Sequence, residues 1–217
     1  VNSYGSVGDG TNISKSSPVL IGTDTWTYVK INTGVEWWNP TVYGIKTDGS
    51  LWGWGNNQYG QLTSSVVATT ASSPIALGTN IWSAISAGNN FSMAIDSSNL
   101  LWAWGDNTYG QVGATTASYS WLQISGTGNH TLAIRNDGTL WAWGVNNTYQ
   151  LGLGDQTVRS SPVQVATPVS SWAFISAQGT SNMVAITTAY TLFSWGNGTS
   201  GQVGDNTIVT KSVPTAI

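Results

Sequence analysis

The chain of 217 residues contains no cysteine, which excludes disulfide cross-links and thiolate metal sites but leaves its compartment open. Charged residues make up only 7% of the sequence, against roughly a quarter in an average soluble protein. The formal net charge is −3, so the sequence has no excess of basic residues to neutralise phosphates, and we expect no nucleic-acid partner. No apolar run approaches the roughly 18 residues of a membrane-spanning helix, so we expect no membrane insertion.

Titratable groups suited to catalysis are also scarce, because the chain has one histidine, one glutamate and eight aspartates. We therefore predict that the protein is not an enzyme and uses no cofactor or metal. His130 precedes an apolar stretch with no partner histidine or carboxylate pair, so a structural hydrogen-bonding role is expected. Asp9, Asp155 and Asp205 each follow a glycine. A calcium loop needs six or more oxygens, so these aspartates are predicted to form turns instead.

A short motif of two aromatic residues and a glycine recurs four times along the chain. The copies are Leu51–Gly55, Leu101–Gly105, Leu140–Gly144 and Leu192–Gly196. Their final glycines lie 50, 39 and 52 residues apart, so one unit is shorter than the others. We predict a single domain over 1–217, with repeat units over approximately 1–55, 56–105, 106–144 and 145–196 and the start of a fifth unit at 197–217.

Each unit is predicted to contain four short strands. In the second unit these are 73–77, 82–87, 91–95 and 100–104. Turn-forming Gly, Asn, Asp and Ser separate them, and no helix of three turns fits between. Pro18, Pro74, Pro162 and Pro214 open the first strand of a unit, which indicates a blade edge. The repeat predicts an all-β fold, a β-propeller of four-stranded antiparallel blades, with the paired aromatic rings filling the wedge between neighbouring blades.

The repeated pattern resembles that of the regulator of chromosome condensation repeat family. We expect the chain to be a phage or bacterial surface member of this family. The matching stretches are Asp48-Gly49 with 54–62, 104–113, Asp137-Gly138 with 143–146, and 195–197 with 201–205. The resemblance covers nearly the whole chain and implies the propeller fold. The family's histidine before the third strand is present only at His130. Family members usually close a ring of seven blades, for which about 350 residues are needed, so this chain is expected to be part of a larger ring or assembly.

The two ends of the sequence repeat each other. Ser3 to Ile21 aligns without gaps to Thr199 to Ile217 at an offset of 196, which is four units of 49. Two hypotheses follow. The first is that the chain is a fragment of a longer protein. The second is that its last strand completes a blade in another subunit and so builds an oligomer by strand exchange. The candidate inter-subunit strand consists of Val213, Pro214, Thr215, Ala216 and Ile217.

Trp37 and Trp38 lie in a segment that the other units lack, beside Glu36 and Asn39. Adjacent residues in a strand point to opposite faces, so one of the two indoles is expected to be exposed. Exposed tryptophans often anchor partners, which makes Glu36, Trp37, Trp38 and Asn39 the candidate contact with a partner or ligand. Ordinary burial of both rings is the alternative.

These observations favour a non-catalytic structural or recognition module that mediates protein assembly, as an extracellular component of a virion or cell surface. Its partners would be proteins or further copies of itself, with a glycan as a further candidate. One alternative is a secreted inhibitor or carbohydrate-binding propeller, similar to the seven-bladed inhibitor of β-lactamase. The family resemblance implies a further alternative, a guanine-nucleotide exchange factor for a small GTPase. That function would need a full ring and a basic face.

Overall fold

The computed structural model describes residues 2–32, 40–62, 68–113, 119–167, 169, 171–177, 179 and 181–217. This part of the chain contains fifteen strands and no helix long and apolar enough to span a membrane. The strands are β1 Trp26–Ile31, β2 Thr41–Lys46, β3 Leu51–Asn56, β4 Thr70–Ala76, β5 Trp82–Ala87, β6 Phe91–Asp96, β7 Leu101–Gly105, β8 Trp121–Thr127, β9 His130–Arg135, β10 Leu140–Gly144, β11 Arg159–Gln164, β12 Trp172–Ser176, β13 Asn182–Thr187, β14 Leu192–Gly196 and β15 Lys211–Ala216.

The strands form four antiparallel sheets in which each strand pairs with its neighbour along the chain. We call them blade 1 (β1–β4), blade 2 (β5–β7), blade 3 (β8–β11) and blade 4 (β12–β15). Blades 1, 3 and 4 have four strands, and blade 2 has three within the described residues. The predicted all-β architecture of successive antiparallel blades is confirmed.

The outer strand of each four-stranded blade lies last in its sheet, and this corrects the predicted strand order. The segment predicted as the first strand of the second unit lies in β4, which pairs with β3 of blade 1. After the Trp-Gly motif the chain reverses and forms a fourth strand, which pairs antiparallel with the strand that carries the motif. It then crosses to the next blade. Pro74, Pro162 and Pro214 lie within β4, β11 and β15. These are edge strands, as predicted, where a missing N–H leaves the inner ladder intact.

The glycine that ends each Trp-Gly motif is required by the backbone. Its φ lies between 98° and 102° in all four blades, a region that side chains rarely adopt. A Cβ at Gly144 would also lie 2.4 Å from the carbonyl oxygen of Asn129, the residue before β9. The third strand can therefore pass close to the start of the second only with glycine at this position, which explains why the motif repeats so strictly.

Consecutive blades pack face to face through three shared apolar clusters. One cluster joins blades 1 and 2, a second joins blades 2 and 3, and a third joins blades 3 and 4. The first strand of blades 2, 3 and 4 packs against the first two strands of the blade before it. Trp104, Trp143 and Trp195 lie within or against these clusters. The prediction that aromatic rings fill the wedge between blades is therefore confirmed for the second ring of these motifs, whereas Trp102, the first ring of its motif, is 47% exposed.

Candidate interaction surface

The same contact joins each blade to the next, and its first part is apolar. Ile45, Leu51 and Leu77 of blade 1 form a buried cluster with Trp82, which opens the first strand of blade 2. Blade 3 repeats the arrangement against blade 4 with these residues: Ile134, Leu140, Val165 and Trp172. One blade therefore supplies a small aliphatic platform, and the next blade covers it with an indole ring.

The second part of the contact is a backbone hydrogen bond. The N–H of the opening tryptophan donates to a carbonyl in the turn between the second and third strands of the preceding blade. The pairs are Trp82 to Gly49, Trp121 to Asn99 and Trp172 to Gly138, each at 2.9 Å. Because these turn residues have φ of 82°, 63° and 81°, the carbonyl is held at the same place in every blade.

The third part is an indole hydrogen bond to the loop that follows the third strand. Trp104 donates to the Gln61 carbonyl at 2.5 Å, and the equivalent pairs are Trp143 to Gln111 at 2.9 Å and Trp195 to Gln150 at 3.0 Å. In blades 2 and 3, a glycine two residues after the glutamine allows this approach, since a Cβ at Gly152 would lie 2.8 Å from the Trp195 Nε1. The loop that contains this glutamine is therefore a socket for the next blade's indole.

The N-terminal segment provides such a socket for blade 1. Trp54 donates its indole N–H to the carbonyl of Ser6 at 3.1 Å, and a Cβ at Gly8 would lie 2.7 Å from the same Nε1. The N–H of Gly10 donates to the carbonyl of Ser72 in β4 at 2.8 Å. Residues 3–10 thus occupy the place that the preceding blade's loop takes in blades 2, 3 and 4.

Blade 4 carries the aliphatic platform, and no described residue packs over it as Trp82 does over blade 1. Ile186, Leu192 and Ile217 occupy the positions that Ile45, Leu51 and Leu77 have in blade 1, as the strand registers show. The Leu192 side chain is 41% exposed and Ile217 is 47% exposed, whereas Leu51 is 1% and Leu77 is 2% exposed. We call this set the blade 4 platform.

On the face of blade 1 that points away from blade 2, the residues that would cover a preceding blade's platform are exposed. Val29 and Ile31 of β1 are each 54% exposed, although Ile85 at the position of Val29 in blade 2 is only 3% exposed. Trp26 is half-buried and packs against Trp54 with ring centroids 5.8 Å apart. We call Trp26, Val29 and Ile31 the blade 1 face. Two faces are therefore uncovered by the described residues, and each is equivalent to one half of a buried contact.

The histidine lies inside the contact between blades 3 and 4. His130 is 1% exposed, and its Nε2 lies 3.2 Å from the sulfur of Met183. Burial lowers the pKa of His130 to about 4, so the imidazole is neutral at physiological pH. The environment fits the structural role expected from the sequence, since the residue is almost completely buried and its ring contacts a methionine of the next blade.

The glycine-linked aspartates form turns, as predicted. Asp9, Asp155 and Asp205 each accept the backbone N–H two residues further along, and each pairs with a Lys or Arg. Hydrogen bonds from Lys15 and Thr11 lower the pKa of Asp9 to about 2. Across the described ranges, no group of three or more His, Cys, Asp or Glu side chains is placed to hold a metal ion.

The two sites proposed from the sequence have different outcomes. Glu36, Trp37, Trp38 and Asn39 lie outside the described residues, so their role as a contact stays a prediction. The segment Val213 to Ala216 lies in β15, which pairs with β14 of the same chain and forms the edge of blade 4. In this structure the last strand completes its own blade, and its exchange with another subunit stays a prediction. The blade 4 platform was missed, although the Ile and Leu at fixed distances from each Trp-Gly motif carry its signal.

Comparison with known proteins agrees with this geometry. Family models for the regulator of chromosome condensation (RCC1) repeat match residues 48–95 and 137–185, and a second pair of matches covers 82–111 and 121–150. No curated protein sequence matches the chain.

Solved structures give the same fold. Human WBSCR16 superposes with a TM-score of 0.80 at 19% identity, over 100% of this chain and 61% of that protein. Prp20p from Saccharomyces cerevisiae, described with its binding to Gsp1p and histones, gives 0.74 at 20% identity over 91% and 51%. The ectodomain of the Arabidopsis thaliana receptor kinase ACR4 gives 0.55 at 15% identity over 81% and 56%. The chain thus spans about half to three-fifths of the length of these structures.

Proposed function

Because the chain belongs to the regulator of chromosome condensation (RCC1) repeat family, we propose that it is a non-catalytic propeller module that binds other proteins within an assembly. The observation that carries this proposal is the pair of uncovered faces, since the blade 4 platform and the blade 1 face expose the residue types that form buried contacts elsewhere in the chain. Exposed apolar surface of this kind marks sites where proteins associate.

The chemistry of the titratable groups supports a binding role. The single histidine is buried and uncharged beside a methionine sulfur. Asp9, Asp155 and Asp205 are committed to turns and ion pairs. These side chains hold the fold together, which leaves molecular surfaces to carry the function.

We place the assembly outside the cell, on a virion or a cell surface. The composition supports this location, because only 7% of the residues are charged and Gly, Ser, Thr and Asn are abundant. A protein of this kind stays soluble either through its polar uncharged surface or through burial in a particle. The similar fold of a receptor-kinase ectodomain supports the proposed location.

The proposal is tested by native purification of the tagged chain from its host, followed by measurement of particle mass and protein composition. We expect the chain in a complex with stoichiometric protein, associated with particles or the cell surface. A free monomer that binds a glycan array would instead support the carbohydrate-binding alternative. Accelerated nucleotide release from a small GTPase would support the exchange-factor alternative. A chemical turnover abolished by His130→Asn would contradict the non-catalytic proposal.

A further inference from the structure

The two uncovered faces are the two missing halves of one contact. In the part of the chain that the structure describes, blade 4 presents an aliphatic platform without an indole above it, whereas blade 1 presents Trp26 and Val29 without a platform below them. In the contact between blades 3 and 4, the platform residue Leu140 is buried under Trp172, the counterpart of Trp26. The chain therefore carries, at opposite ends of its row of blades, surfaces that complement each other.

The backbone of blade 4 is prepared for the same contact. Tyr190 occupies the turn position of Gly49, Asn99 and Gly138, and it has the same positive φ, 62°. Tyrosine rarely adopts this conformation, yet the turn keeps the geometry that directs a carbonyl towards the next blade. In blades 1, 2 and 3 that carbonyl accepts the N–H of an opening tryptophan. Within the described residues, no tryptophan N–H reaches Tyr190.

The loop after β14 has the form of an indole socket, and no indole of the described residues lies in it. Gly204 takes the position of Gly113 and Gly152, where a Cβ would lie 3.1 Å and 2.8 Å from the Nε1 of the next blade's tryptophan. A Cβ at Gly204 meets no atom within 4 Å. An open groove of about 750 Å³ lies here, lined by residues that include Gly201, Gly204 and Ile208. Among described side chains, the Gln202 carbonyl has only a 3.5 Å contact with Asn182 Nδ2.

We propose that blade 4 of one copy docks on blade 1 of a second copy and rebuilds the contact found between consecutive blades. This inference rests on the proposed function and names the partner as another copy of the chain. Trp26 of the second copy covers the blade 4 platform, and its backbone N–H donates to the Tyr190 carbonyl. The loop 199–206 takes the place that residues 3–10 hold in the second copy, so the Trp54 indole donates to Gln202 in place of Ser6.

The exchange of loops conserves the contacts because the two segments are equivalent. Residues 3–21 and 199–217 align without gaps, with identical residues at nine positions that include Gly5/Gly201, Val7/Val203, Gly8/Gly204 and Asp9/Asp205. Both loops also carry the same ion pair, Asp9 with Lys15 and Asp205 with Lys211. A second copy therefore meets a surface that matches the one its own N-terminal segment provides.

Head-to-tail docking of this kind closes when two copies meet at both ends. Two chains of four blades give eight blades, which is within the range of roughly four to eight blades in known propellers. The two contacts are then identical and related by a two-fold axis, and no uncovered face is left. We therefore expect a closed dimer and no extended filament.

Light scattering coupled to size-exclusion chromatography at micromolar concentration tests the proposal. We expect twice 22.8 kDa for the wild-type chain. Leu192→Asp charges the blade 4 platform and Val29→Asp charges the blade 1 face, so each variant alone should elute as a monomer. Mixed in equal amounts, they should form a dimer, because one partner keeps blade 1 intact and the other keeps blade 4 intact. Leu122→Asp is the matched control, since Leu122 is 59% exposed on β8 of interior blade 3, and it should leave the dimer unchanged.

Folding of each variant is checked by urea unfolding, and Ile217→Asp, which follows the last strand, repeats the test if Leu192→Asp does not fold. A monomeric wild-type chain, or two monomeric variants whose mixture stays monomeric, would overturn the proposal. Neither result would contradict the proposed function, which is tested separately by native purification of the chain with its protein partners. A wild-type chain that is monomeric when purified alone but is recovered in a larger native complex would contradict the docking proposal and support the proposed function.

Discussion

Blades 3 and 4 place the same kinds of residue at the same positions, yet their surroundings differ. Leu140 pairs with Ile134 in blade 3, and Leu192 pairs with Ile186 in blade 4. Leu140 is 1% exposed because blade 4 packs over it, whereas nothing in the described structure covers Leu192. Burial in this protein is therefore decided by the neighbouring blade more than by the residue or its strand. Stability should follow as a sum of blade-to-blade contacts, as in other repeat proteins.

The largest expected difference between the two blades is in core truncation. Leu140→Ala should lower the free energy of unfolding by about 2–5 kcal/mol, because it opens a cavity in the contact between blades. Leu192→Ala should cost less than about 1 kcal/mol, because little apolar area is lost from a site already hydrated. Urea unfolding at a concentration where the chain is monomeric measures both. Equal losses would show that the blade 4 platform is covered in the monomer.

The second difference concerns pH, because His130 in blade 3 corresponds to Asn182 in blade 4. Burial lowers the folded pKa of His130 from 6.5 to about 4, so the unfolded chain binds the proton first. Stability is complete above pH 6.5 and falls as the pH drops towards 4, by about 3 kcal/mol in total.

Unfolding measured between pH 7 and pH 4 checks the assignment of this loss to His130. His130→Asn should remove most of the slope across that window. Asn182→His places an imidazole on the uncovered side of blade 4, where it stays hydrated, and should add little slope. A slope that persists in His130→Asn would assign the pH dependence to other groups.

The smallest expected difference compares two indole hydrogen bonds. Trp143→Phe removes the donor to the Gln111 carbonyl inside a fully buried contact and should cost about 1–3 kcal/mol. Trp54→Phe removes the donor to Ser6, which belongs to a terminal segment that water can reach, and should cost less. Thermal unfolding of the two variants ranks these contributions, with Trp102→Phe as a comparison in which a half-exposed indole loses its bond to Asp96 within the same blade. A larger loss for Trp54→Phe would make the N-terminal segment a main source of stability.

The sequence predicted the strands, the turns and the packing of blades because each depends on a local pattern. The Trp-Gly motif, for example, fixes a strand end, a positive φ and an indole position together. The partner of β4 could not be predicted in this way. Only five residues separate β4 from β5, whereas thirteen separate it from β3, so proximity along the chain favours the wrong sheet.

The exposure of the blade 4 platform and the blade 1 face could not be predicted from the sequence, for a different reason. Leu192 and Ile186 fit the same pattern as Leu140 and Ile134, and their exposure depends on which blades surround them. A periodic sequence predicts the structure of each blade but not which surface packs against it. The contact predicted at Trp37 and Trp38 lies outside the described residues and stays a prediction.

Amide hydrogen exchange of the opening tryptophans tests most directly whether one blade-to-blade contact organises the whole chain. The N–H groups of Trp82, Trp121 and Trp172 donate to the preceding blade, so they should exchange slowly in the monomer. Trp26 has no preceding blade among the described residues and should exchange orders of magnitude faster, then become protected when the chain associates. Equal protection of all four amides in the monomer would contradict the repeated contact and the open face at blade 1.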